Sequence, residues 1–104
     1  MNQQGMLKKI KQMQKEMVEA QQEIENTVFE ATAGGIVTVE VMGNKHLKQV
    51  IVADDFEIES KEDFDMLSES VVAACQKAYK DIEEVTDEKM AKFQGLLNGV
   101  QGLF

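Results

Sequence analysis

The chain has 104 residues, 43% of them hydrophobic, and a formal net charge of −8. That length suits one domain, and no apolar run reaches the ~18–20 residues of a membrane span. The lone cysteine, Cys75, excludes an internal disulfide and a cysteine-based metal cluster, and the opening residues lack the apolar stretch of a secretory signal, so the cytoplasm is the expected compartment.

Residues 1–26 are expected to form a long amphipathic helix. Met6, Ile10, Met13, Met17, Ala20 and Ile24 recur at alternating spacings of four and three, the heptad pattern of a packing or dimer seam. Lys8, Lys11 and Lys15 fall within a narrow arc at ~100° per residue, on the side away from that seam, while Lys9 points elsewhere. No proline interrupts the pattern.

A three-stranded antiparallel meander follows over residues 27–53. The strands are expected at 27–33, 36–42 and 47–52. Gly34 and Gly35 form the first turn, because glycine accepts positive φ without a steric penalty. Gly43 and Asn44 are the turn residues of the second. Val37, Val39 and Val41 alternate with polar neighbours and make the face that needs a cover, since three strands alone bury too little.

Residues 60–94 are expected to be helical. Ser60 with Asp63 reads as an N-cap with an acid in the first turn. Phe64, Leu67, Val71, Cys75, Ala78, Ile82 and Val85 form one apolar face, widened by Val72, Ala74 and Tyr79, as suits a helix lying across a sheet. Residues 95–104, with three glycines, read as a flexible tail.

No catalytic pattern emerges from the residues. "AGGIV" lacks the Gly-Lys-Ser/Thr ending and the following helix of a phosphate-binding loop. His46, the sole histidine, sits in a turn with no partner implied by spacing, and Cys75 lies on an apolar helix face where an inert thiol is the rule. The acidic stretches 54–59 and 62–65 lack the glycine and final glutamate of a calcium-binding loop. The expectation is a protein that is not an enzyme, with no cofactor, no metal and no small-molecule substrate.

The charge distribution points further. Residues 1–15 carry Lys8, Lys9, Lys11 and Lys15 and no acid, whereas residues 21–60 carry eight acids against Lys45 and Lys48. Lysines so placed can neutralise phosphates and release counterions, which gives salt-sensitive binding with little sequence preference. A solvated helix face is the plainer reading of the same stripe. All eleven basic residues are lysine, so arginine-based reading of guanine is excluded.

The order of "LKKIKQMQKEMVEAQQEIE", "AGGIVTVEVMGNKHLKQVIV", "DDFEIESKEDFDMLSE", "SVVAACQKAYKDIEEV" and "EKMAKFQGLLNGVQGLF" resembles the YbaB/EbfC family of bacterial nucleoid-associated proteins over nearly the whole chain. The resemblance implies an α+β fold, helix–three-stranded sheet–helix in two layers, and a tight homodimer with projecting helices. It also implies binding of double-stranded DNA with low sequence specificity, and a part in chromosome organisation and gene regulation in the nucleoid. Carried over to this sequence, the candidate DNA contacts are Lys8, Lys9, Lys11 and Lys15, with Lys45 and Lys48 as secondary ones. The candidate dimer or packing seam is Ile10, Met13, Met17, Ile24, Val37, Val39 and Val41. Lys45, His46, Leu47 and Lys48 stand where several relatives place arginine, which lowers the expected DNA affinity. The alternative is a dimeric protein–protein adaptor with little or no direct DNA binding.

Overall fold

A computed structural model of the protein describes the backbone of residues 3–101 and the side chains of residues 3–95. Helix α1 spans Gln3–Glu25, strands β1, β2 and β3 span Val28–Ala33, Val37–Met42 and Leu47–Val52, and helix α2 spans Lys61–Gln101. The strands form one antiparallel sheet in the order β1-β2-β3. The molecule is a rod of 72 × 20 × 14 Å with a radius of gyration of 20.5 Å. A globular chain of this length would have a radius of gyration of about 13 Å.

Helix α2 sets this shape because its 41 residues serve two partners in succession. Its first half lies on the sheet. There Ala74, Ala78 and Ile82 pack on Ala31, Val37, Val39 and Val41, all buried, and the two alanines let the helix axis come close to the valine row. Its second half packs against α1. Ala20 and Glu23 of α1 stand beside Lys89 and Lys92, while Ile24 and Glu25 stand beside Thr86 and Met90. Falling numbers in α1 thus meet rising numbers in α2, and the two helices form an antiparallel arm that leads away from the sheet. Among the described residues, Met13, Ile24 and Phe93 are the buried side chains of that arm.

Part of the expected α1 seam is therefore packed within the chain. Met13 and Ile24 are buried, and Met6, Ile10, Met17 and Ala20 are half-buried. The valine row is likewise covered by α2 of the same chain, so it is an internal core rather than a surface awaiting another protomer.

Hydrophobic pattern sets the sheet register. Ala33 pairs with Val37, Ala31 with Val39 and Phe29 with Val41, which puts all six on the α2 side. Gly34 and Gly35, at φ 62° and 69°, form the turn, closed by the Ile36 N–H donating to the Ala33 carbonyl at 3.3 Å. Residue type places Ile36 at the start of the second strand, but it belongs to the connection. Starting the ladder one residue earlier would set the valines against Thr32 and Glu30.

The second turn falls at Gly43 and Asn44 as expected. Lys45, not Gly43, takes the left-handed conformation (φ 72°), and the Asn44 side chain accepts the His46 N–H at 2.9 Å. Gly43 is required for space. A β-carbon there would collide with the main-chain carbonyl of Ile24 in the last turn of α1. The Gly43 N–H donates to the Thr27 carbonyl at 2.9 Å, and Thr27 Oγ1 and Asn26 Nδ2 donate to the Glu23 and Gln22 carbonyls at 2.7 and 2.9 Å. These bonds satisfy acceptors that the end of α1 would otherwise leave open.

At the start of α2, Asp63 accepts the main-chain N–H groups of Glu59 and Ser60 at 2.8 and 3.1 Å, the reciprocal half of a capping box. The far end corrects the expected tail. The helix continues through Gln101 rather than ending near 94, despite the low helix propensity of Gly95 and Gly99. Residues 102–104 of that expected tail lie outside the described residues. The apolar face of α2 is also narrower than its sequence implies. Phe64 and Val72 are 57% and 56% exposed, and contact with the sheet begins near Leu67.

Two glycine substitutions should act in opposite directions. Gly43→Ala should destabilise the fold by about 3 kcal/mol in denaturant titration, because backbone rather than a side-chain tip must yield. Gly95→Ala meets nothing within 4 Å. It should raise the thermal midpoint, through a gain of about 0.5–1 kcal/mol in helix propensity.

Candidate nucleic-acid interface

Lysine and glutamine, both good helix formers, build most of α1, and the helical repeat decides where each points. With the seam held against α2, Lys8, Lys11 and Lys15 project from the opposite side of the helix and are exposed. Lys9 lies on the flank, nearer the groove between the helices. All four, with Gln12, line one shallow concavity on α1. Gln12 is tied to Glu16 at 3.2 Å.

The fold adds a feature that the linear charge count only half reveals. All 19 acids of the chain lie between residues 16 and 88. No acidic side chain precedes residue 16 or follows residue 88, and the antiparallel pairing of α1 and α2 brings the start of α1 and the end of α2 to the same end of the rod. Toward the arm tip from Glu16, neither helix carries a carboxylate. The opposite end of the molecule holds the acidic run from Asp54 to Glu69. A net charge of −8 thus conceals a basic arm tip and an acidic body. Exposed charges are screened beyond about 8–10 Å at ordinary salt, so the body does not cancel the tip.

Lys45 and Lys48 are not brought to this surface. Lys45 Nζ lies 3.3 Å from Glu83 Oε1 at the base of the arm, an exposed pair that joins the hairpin to α2. Lys48 sits where β3 carries an extra residue against β2, since Glu40 pairs with Gln49 and Val41 with Leu47. Lys89 and Lys92 escape sequence reading because they lie far from the other lysines in the chain. Lys89 pairs with Glu23 at 3.3 Å, and Lys92 shares the groove with Ala20, Glu23 and Glu88. Both stand level with glutamates, and Lys89 serves to join the helices.

A second surface is left open by the fold. Val50 and Val52 of β3 stand in register with Val39 and Val37, on the α2 side of the sheet, yet α2 covers β1 and β2 and leaves β3 exposed along its whole length. Val50 and Val52 are each 38% exposed, and β3 is also a sheet edge. No described helix is long and apolar enough to cross a membrane, and the described residues hold no grouping of three or more His, Cys, Asp or Glu side chains suited to a metal ion.

Comparison with known proteins fits this architecture. A nucleoid-associated protein of Clostridium kluyveri is 38% identical over 104 residues, covering 99% of this chain and 89% of that one. One from Saccharopolyspora erythraea is also 38% identical, over 98% of this chain and 87% of that one. A crystal structure of an uncharacterized Helicobacter pylori protein superposes with a TM-score of 0.65 at 23% identity, over 92% of this chain and 98% of that one, which supports the fold. The sequence profile of the YbaB/EbfC DNA-binding family matches residues 1–97. With its helix, three-stranded meander and long second helix, the chain belongs to the YbaB/EbfC DNA-binding family.

Proposed function

We propose that this chain is a non-enzymatic, nucleoid-associated protein that binds double-stranded DNA as a homodimer, with low sequence specificity, and contributes to chromosome organisation and gene regulation. The observation that carries the reading is the acid-free arm tip bearing Lys8, Lys9, Lys11 and Lys15. Lysines on a projecting helix can reach phosphates without bringing the acidic body against the duplex. The names of the relatives, both nucleoid-associated proteins, support the same reading. A dimer doubles the lysines available to one duplex and raises avidity.

The dimer contact is assigned to β3. Val50 and Val52 are apolar and exposed, and they extend a valine row that is otherwise buried. Covering them with a second copy would complete the core without exposing new apolar surface. The same open face is what favours the second reading, an adaptor that seats another protein there.

Replacing Lys8, Lys11 and Lys15 together by glutamate should abolish the gel shift of a long duplex at low salt. The parent protein should lose affinity steeply as salt is raised. An unchanged shift would overturn the lysine site and favour the adaptor. Equilibrium sedimentation should give twice the 11.7 kDa chain mass, and Val50→Asp should return the protein to one chain. A parent sedimenting as a single chain would remove the dimer.

A further inference from the structure

The outward side of α1 carries more than lysines. At ~100° per residue, Leu7, Lys8, Lys11, Gln14, Lys15 and Val18 fall within an arc of about 120° whose centre lies roughly 140° from the packed seam, with Gln14 at its edge on the α2 side. All six are exposed, and no carboxylate interrupts them. Glu16, in the same turns, points to one flank, and Glu19 borders the arc beside Lys8. Leu7 and Val18 are 57% and 53% exposed although the helix has an apolar seam in which to bury such side chains. Gln12, on the flank, is held by Glu16, whereas Gln14 has no side-chain hydrogen bond among the described residues.

Phosphate tracking needs only the lysines. It does not account for an amide flanked by two exposed branched aliphatic side chains. Those are the groups that read bases in the major groove, where a glutamine amide pairs with the N6 and N7 edge of adenine and an apolar side chain meets the thymine methyl. The spacing allows it. Gln14 lies about 10 Å along the helix from Leu7 and about 6 Å from Val18, close to three and two base-pair steps. A helix of ordinary diameter fits the major groove.

We propose that the outward face of α1 enters the major groove, with Gln14 contacting adenine, Leu7 and Val18 contacting thymine methyls, and Lys8, Lys11 and Lys15 on the bordering phosphates. The inference rests on the DNA-binding reading and adds to it a preference for A·T-containing duplexes, superimposed on the non-specific affinity.

The test is fluorescence anisotropy at fixed salt with three duplexes of equal length: A·T-rich, G·C-rich, and the A·T-rich sequence with every thymine replaced by uracil, which removes only the major-groove methyl. The parent should prefer the A·T-rich duplex over the G·C-rich one by at least about five-fold and should bind the uracil duplex more weakly than its thymine counterpart. Gln14→Ala should lower the A·T preference by about five-fold with the salt dependence unchanged. Leu7→Ala with Val18→Ala should abolish the difference between thymine and uracil. Lys11→Gln should do the reverse, weakening all three duplexes alike and lowering the salt slope by about 0.9, the share of one neutralised phosphate. Equal affinity of the parent for all three duplexes, or an unchanged preference in Gln14→Ala, would overturn groove reading while leaving phosphate binding intact. No binding to any duplex would instead overturn the DNA reading itself. These side chains are exposed, so the variants should fold as the parent does.

Discussion

The arrangement depends on a contact between two backbones. In the last turn of α1, the Ile24 carbonyl occupies the space a side chain at position 43 would take, and the Gly43 N–H is bonded to Thr27 in the same corner. Because both partners are main chain, neither can move aside by changing rotamer. The contact sets where α1 leaves the sheet, and from that exit the helix meets the second half of α2 along its methionine seam. The lysines then face outward by helical geometry alone. An ion pair on each side of the corner, Lys45 with Glu83 and Lys89 with Glu23, adds little energy because all four groups are exposed, but both span the same junction.

The rod divides its work between two halves of one helix. The sheet half of α2 is packed on valines through two alanines, and the arm half shares Met13, Ile24 and Phe93 with α1. A cover one helix wide cannot span three strands, so β3 is left with apolar side chains in solvent. The uncovered strand and the projecting arm thus have one cause: α2 extends beyond the sheet instead of being joined by a second covering helix. One result is an exposed apolar edge strand, and the other is a basic arm held clear of the acidic body.

Much of this is legible from residue pattern. The alternating valines, the two glycines of the first turn and the heptad seam yield the element order, and the third strand occurs over the residues where alternation places it. Gly43 stands out in the sequence for a different reason from the one the fold supplies, since a turn position and a close approach look alike in a single sequence. Ile36 suits a strand by residue type, while the register is decided by which side the following valines must face. The extension of α2 through Gln101 is hidden by glycines, whose weak helix propensity reads as a tail in a single sequence. Of the candidate contacts, the α1 lysines can be found from local charge. The pairing of Lys45 with Glu83 cannot, because 38 residues separate them.

By itself, the sequence determined what is local: which segments are helical or extended, which face of each is apolar, and that Lys8, Lys11 and Lys15 of the first helix lie opposite its seam. These follow from periodicity, which needs no knowledge of neighbours. Only the tertiary structure decided what each face meets. It buried Met13 and Ile24 of the methionine seam within the chain, left β3 without a cover, and brought the acid-free start of α1 and end of α2 together at one end of a 72 Å rod. The physical reason is that burial and electrostatic isolation are properties of distance in space, and an antiparallel helix pair makes neighbours of residues that the chain holds farthest apart.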